Sequence, residues 1–183
     1  EFLNEAVLWG FQPVEAPALE RLEILERKAG ENVREEIYWF KDKSGREIGL
    51  IFDYTVPLAR AIAAKPQLPK PIKWCYFGRV WRYDEPQKGR YREFWQFGVE
   101  LIGSSSYLAD VEVIKLAYRI MDELKLNFEM HVGHVGLLRH VLRDLSEDRA
   151  NKIMRLIDKR DLDALDRYLD GDLRDKIHSL VDM

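Results

Sequence analysis

Residues Cys75 to Gly103, CYFGRVWRYDEPQKGRYREFWQFGVELIG, decide how this chain is read. Trp74 to Trp81 and Arg92 to Ile102 are each rich in aromatic and β-branched residues. The polar segment between them carries Pro86 and Gly89, so the pattern predicts two strands joined by a loop. Side chains alternate along a strand, which puts Phe94, Gln96, Gly98 and Glu100 on one face and Trp95, Phe97, Val99 and Leu101 on the other. In and beside the loop, Arg79, Arg82, Lys88, Arg90 and Arg92 outnumber Asp84, Glu85 and Glu93. A guanidinium meets phosphate oxygens in a planar, two-point fashion that an ammonium lacks. A strand face bearing a ring, an amide and a carboxylate beside such a loop suits a base, a polar small molecule and a polyphosphate held side by side. The plainer alternative is a solvated hairpin whose surface ion pairs are worth about 0–1 kcal/mol each.

Outward toward the N-terminus, KPQLPKP (65–71) is a proline-rich connector, and before it LIFDYTVPLAR places Asp53 and Thr55 at a strand end with a short helix following. Asp53 is a natural cap for that helix. Ile37–Phe40 and Ile48–Phe52 flank KDKSGRE, a hairpin signal with Ser44 and Gly45 in the turn. The stretch before it, to Glu36, reads as a loop, and Leu19 to Ala29 as a charged helix with Leu19, Leu22 and Leu25 inward. Phe2, Leu3, Ala6, Val7 and Trp9 recur at helical spacing and stop at Gly10, after which Phe11 to Pro17 reads as extended.

Outward toward the C-terminus, Ser104 to Tyr107 is a turn. From Asp110 a helix is expected with Val111, Ile114, Leu116, Ala117, Ile120, Met121 and Leu124 buried. Asn127 to Val132 reads as a strand and Val135 to Leu145 as a helix. His131, His134 and His140 raise the question of a metal, but no cysteine or clustered acid completes a ligand set, and structural histidines are the expectation. After Ser146 the leucine and isoleucine spacing gives three short amphipathic helices, broken near Asp161 and at Gly171.

Composition sets outer limits. With 183 residues, 46% of them hydrophobic, there is material for one sizeable domain, or one with an appendage. A formal net charge of −3 provides no global basic field, so contact with nucleic acid must come from local patches. Cys75, the single cysteine, excludes an internal disulfide framework and reads as a small buried hydrophobe. No apolar run approaches the length of a membrane span.

The run Phe77 to Gly103, with RVWRYDEPQKGRYREFWQ at its heart, resembles motif 2 of the class II aminoacyl-tRNA synthetases, specifically the histidyl-tRNA synthetase family in an archaeal-looking version. The helix, glycine, strand and proline order at the start resembles motif 1, whose helix and strand build the dimer interface in that family. The resemblance covers about Glu1 to Arg143. It implies an α+β fold, a class II synthetase-type, mostly antiparallel sheet of roughly six strands flanked by helices, plus a small helical appendage. Residues 1–145 would be an incomplete catalytic core, and 146–183 would match the place of an insertion that contacts tRNA in the family.

The resemblance also implies roles. Asp53 and Thr55 would hold the amino group of bound histidine. Arg82 would hold the α-phosphate of ATP and the histidine carboxylate, and is the residue assigned to catalysis. Arg90 would reach the outer phosphates, and Phe94 would stack on adenine. Asp84 matches an acidic position that meets the adenine or the ATP-bound metal, and Gln96 and Glu100 would face histidine, with Glu100 accepting a hydrogen bond from the imidazole. ATP and Mg2+ are the implied cofactors. Histidine, tRNA(His) and a second copy of the chain are the implied partners, and the cytoplasm is the implied compartment. Two departures stand out. Ile51 occupies a position where the family usually has arginine. Trp95 replaces a histidine common in bacterial relatives, and its side chain is expected on the opposite, packed face.

The family's motif 3, its histidine-specific glycine-rich segment and its anticodon-binding domain are not found before Met183. A longer enzyme is therefore expected, with an intact mass well above 21.6 kDa. The main rival is a non-catalytic paralogue, the regulatory subunit of ATP phosphoribosyltransferase in histidine biosynthesis, which shares the fold and the histidine pocket. Against it stands the PQKGRYR loop, since a binding subunit has no need of phosphate-reaching arginines. A third reading is a structural dimerisation module that binds neither ligand.

Overall fold

The structure is a computed structural model that describes residues 1–29, 33–83, 85, 87–159, 161–169 and 171–181, with residues 28, 29, 172, 180 and 181 described by backbone alone. Two units separate along the chain, Glu1–Phe128 and Glu129–Met183.

The first unit opens with α1 (Phe2–Leu8), which stops where Gly10 turns with φ 82°. Only glycine adopts that backbone region without strain. There follow β1 (Gln12–Pro13), β2 (Leu19–Arg21), α2 (Leu22–Ala29), α3 (Val33–Glu36), β3 (Trp39–Lys41), β4 (Glu47–Leu50), α4 (Thr55–Ala63), β5 (Ile72–Trp81), β6 (Glu93–Ile102) and α5 (Tyr107–Glu123). β5 and β6 pair antiparallel along their whole length, from Ile72↔Ile102 to Trp81↔Glu93, and β1 adds to β5 in parallel. The smaller sheet is antiparallel, in the order β2-β4-β3.

Alternation divides the β5–β6 hairpin into two faces. On one, Cys75, Phe97, Val99 and Leu101 pack with Ala6, Phe11, Leu116 and Ile120, so α1 and α5 cover that side. Lys73 pins the arrangement by bonding the Trp9 carbonyl and Glu112. α5 starts earlier than its sequence pattern implies, because the Ser106 hydroxyl accepts from Leu108 N and caps it. Of its expected inward side, Leu116 and Ile120 are buried, while Val111, Ala117 and Leu124 are exposed.

Three local expectations fail for tertiary reasons. Leu19–Arg21 is a strand and not the first turn of a helix, since it pairs with Ile48–Leu50 and buries Glu20 against Arg60 at 2.5 Å. Val33–Glu36 is a helical turn and not loop, anchored by the buried Val33. Asn127–Val132 forms no strand, having no bonded neighbour among the described residues, although Phe128 packs edge-on against Tyr118.

The second unit consists of α6 (Val135–Val141), α7 (Glu147–Asp158), α8 (Leu162–Tyr168) and α9 (Gly171–Val181) around Leu142, Ile153, Leu165, Leu169 and Ile177. Asp161 caps α8 by accepting from Ala164 N at 3.1 Å. Val141, Leu142 and Leu145 belong to this core, so the compact unit takes in the residues from Glu129 onward.

Candidate functional site

The other face of the hairpin carries Trp74, Tyr76, Gly78 and Val80 opposite Glu100, Gly98, Gln96 and Phe94. Its two glycines make room for two rings. A methyl built on Gly78 would overlap the Tyr54 hydroxyl, and one on Gly98 would overlap the Tyr76 hydroxyl. The rings therefore lie over the strands and stack on each other, with centroids 4.5 Å apart and planes 7° from parallel. With Ile51, Leu58 and Val80 they close a core beneath the site.

The segment before α4 is laid over this floor by side-chain bonds. The Gln96 Oε1 accepts from Tyr54 N at 3.1 Å, and Thr55 Oγ1 donates to Glu100 Oε1 at 2.8 Å. Asp53, 9% exposed, accepts from Val56 N at 3.2 Å, the capping role its position predicts. Arg82 leaves the end of β5 on the same side, donates from Nε to the Phe52 carbonyl at 3.2 Å, and stands over the Phe94 ring with its guanidinium carbon 5.1 Å from the centroid. Burial, followed by the nearby Glu100 charge, pushes the Tyr76 phenol up to about 12, against a partial opposing effect of its hydrogen bond with Thr55. Burial likewise raises the Tyr54 phenol.

Asp53, Thr55, Arg82, Phe94, Gln96 and Glu100 thus gather on one sheet face, although nearly fifty residues of chain separate its ends. Arg90 stands on the exposed turn Gln87–Arg90, where Gly89 takes φ 84°. Asp84 lies outside the described residues. Ile51 is fully buried among Tyr54, Leu58, Tyr76 and Val80, so it contributes packing where the family's arginine would contribute charge. Trp95 does face away from the site, but that end of the face is not packed. Trp95 is 55% exposed, stacked on Phe77 at 4.7 Å with Arg79 above it. Among the described residues no three histidine, cysteine or acidic side chains cluster as metal ligands, and His131, His134 and His140 form no such group.

Tyr54 and Tyr76 escaped the sequence reading as site residues. A signal was present: Tyr76 alternates with Gly78 and lies across from Gly98, and strand glycines mark a close approach by other atoms.

The arrangement offers a carboxylate and hydroxyl at one end, a carboxylate and amide along the floor, and an arginine over an aromatic ring at the other end. That set matches an amino acid beside a nucleotide phosphate. The family model described as histidyl-tRNA synthetase matches residues 1–183. The Histidine--tRNA ligase of Archaeoglobus fulgidus is 51% identical over 181 residues, which is 96% of this chain and 44% of that protein. A crystal structure described as an ATP phosphoribosyltransferase regulatory subunit/histidyl-tRNA synthetase from Bacillus halodurans C superposes with TM-score 0.83 at 29% identity, covering 96% of this chain and 47% of that one. Histidyl-tRNA synthetase from Nostoc sp. PCC 7120 shares the fold at TM-score 0.78 and 24% identity, over 97% of this chain and 42% of that one. The chain therefore spans less than half the length of these relatives.

Proposed function

The chain belongs to the histidyl-tRNA synthetase family, and from that membership we propose that it forms part of the catalytic domain of a histidine–tRNA ligase. The reaction joins histidine to ATP, giving histidyl-adenylate and pyrophosphate, and then passes the histidyl group to tRNA(His). The carrying observation is the convergence of Asp53, Thr55, Arg82, Gln96 and Glu100 on one face of the β5–β6 hairpin.

In the first step a carboxylate oxygen of histidine bonds to the α-phosphorus of ATP while the bond to the β-phosphate oxygen breaks. Two anions must be aligned and the charge growing at phosphorus offset. Arg82, which bonds the Phe52 carbonyl and stands over the Phe94 ring, would bridge the α-phosphate and the carboxylate, and Phe94 would stack on adenine. Arg90, on the exposed turn, would reach the outer phosphates. Asp53 and Thr55 suit the α-ammonium, and Gln96 and Glu100 the imidazole. No protein nucleophile is required. Magnesium takes one or two carboxylates and otherwise phosphate and water oxygens. Asp53 and Glu100 are already bonded to Val56 N and Thr55, so the ion would be carried mainly by the phosphates, whose charge it offsets, while Asp84 matches a family position that meets either the adenine or that ion.

Residues 1–145 would serve the catalytic core and 146–183 an insertion that touches tRNA. A homodimer is proposed on the exposed Phe77–Trp95–Arg79 stack and on α1, where Leu8 is 81% exposed. A cytoplasmic location accords with the unpaired, buried Cys75. No helix among the described residues is long and apolar enough to cross a membrane.

The regulatory-subunit reading is kept by the likeness to the Bacillus halodurans structure, whose description names both activities. Histidine-dependent exchange of pyrophosphate into ATP by the full-length protein separates the two. Exchange is the expected result; its absence, with stimulation of a phosphoribosyltransferase partner, would favour the paralogue.

A further inference from the structure

Arg82 and Tyr83 follow β5 directly, and each is tied to the smaller sheet. Arg82 Nε donates to the carbonyl of Phe52, just past β4, at 3.2 Å, and Tyr83 N donates to the carbonyl of Glu36, between α3 and β3, at 2.7 Å. A carbonyl at the end of a helical turn has no partner within it, which leaves Glu36 open to this bond. Arg82 N still bonds the Arg92 carbonyl at 2.9 Å, so the chain leaves its hairpin partner for the smaller sheet at the step from 82 to 83. The Tyr83 ring is gripped as well. It meets the Tyr38 ring edge-on, with centroids 5.3 Å apart and planes at 82°, and the Arg92 guanidinium carbon stands 4.3 Å from its centroid. Tyr38 is itself fixed, its carbonyl accepting from Leu50 N at 2.9 Å. Tyr83 nevertheless remains 50% exposed, so its contacts add little to the core.

We propose that Tyr83 is a positioning residue for the triphosphate of ATP: its ring, held between Tyr38 and Arg92, clamps the root of the arginine-bearing loop to the smaller sheet and so directs Arg82 into the site and limits the space that Arg90 sweeps. Tyr83 is the next residue after Arg82, and a backbone free to turn at 83 would loosen the Phe52 bond and the Phe94 contact together. A swivelling root also spreads Arg90, on its exposed turn, over more positions, and ordering them again costs free energy when phosphates bind. Asp53, Thr55, Gln96 and Glu100 are held by bonds that involve neither Tyr38 nor Tyr83, so the clamp acts on the phosphate end of the site and not on the amino-acid end. The inference rests on the proposed reading of this face as a site for ATP beside histidine.

The test is calorimetric titration of ATP with Mg2+ and, separately, of L-histidine into the full-length protein and its variants. Tyr83→Ala is expected to weaken ATP binding about fivefold to tenfold, the effect of losing an aromatic pair and a cation–π contact together, with histidine affinity held within about twofold. Tyr83→Phe keeps the ring and should restore the wild-type affinity for ATP. Tyr38→Ala, made outside the loop, should weaken ATP about twofold to fivefold, and adding it to Tyr83→Ala should cost nothing more, because the clamp is already open. Should Tyr83→Ala fail to fold, Tyr38→Ala decides the matter. Unchanged ATP affinity in either alanine variant that folds, an equal loss for histidine, no recovery in Tyr83→Phe, or additive losses in the double variant would each overturn the clamp. Wild-type protein that binds both ligands without catalysing pyrophosphate exchange would sink the ligase reading and leave the clamp to be judged by the calorimetry. Wild-type protein that binds no ATP would overturn both.

Discussion

Arg82 is the residue on which the proposed chemistry turns, and its setting explains why a lysine would not replace it. One guanidinium nitrogen is spent on the Phe52 carbonyl and the guanidinium carbon stands 5.1 Å from the Phe94 centroid, leaving the other nitrogens for the phosphate and carboxylate of the proposed substrates. Arg82→Ala should lower pyrophosphate exchange by about a hundredfold to a thousandfold, the usual effect of losing a donor to developing charge, while the circular dichroism stays that of the wild type. Arg82→Lys should recover little of it. Tyr76 gives a second handle, on stability. An unfolded tyrosine ionises near 10 and Tyr76 holds its proton to about 12. Because the folded value is the higher one, this contribution is intact below pH 10 and disappears as the pH climbs through 12. Urea midpoints should drop across that window, and drop less in Tyr76→Phe; Tyr54, raised by burial too, adds in the same direction.

At the scale of elements, the β5–β6 hairpin does two jobs because its strands alternate. One face is core, sealed by α1 and α5, and the other is site, floored by two stacked tyrosines. Leu116 is fully buried against the first face and has no part in the second. Leu116→Ala should therefore cost about 2–5 kcal/mol in chemical denaturation, as large-to-small core changes do, with little change in the Michaelis constant for histidine. A rise in that constant matching a ligand contact would show that the two faces are not independent. The hairpin was legible in the sequence because its aromatic and β-branched runs are long and its loop is polar. Leu19–Arg21 was not, since the same leucine spacing suits a helix, and only pairing with β4 decides for a strand.

For the whole molecule, the division into Glu1–Phe128 and Glu129–Met183 makes α6 part of the helical unit. A fragment 129–183 is expected to keep its helical circular dichroism. A fragment 146–183 should lose most of it, since Val141, Leu142 and Leu145 would be taken from the core around Ile153, Leu165 and Ile177. Equal helicity in both would show that the core does not depend on α6 and the residues after it. The amino-acid order by itself determined the paired strands with their alternating faces, the arginine-bearing loop, the four short helices of the second unit and the family. These follow from periodicity, turn residues and local motif, which are properties of neighbouring positions. Only the tertiary structure decided that Thr55 meets Glu100, that Tyr54 N meets Gln96, and that Tyr76 lies over Gly98 beneath them. Such contacts join residues far apart in the chain, and their geometry depends on packing that no local pattern encodes.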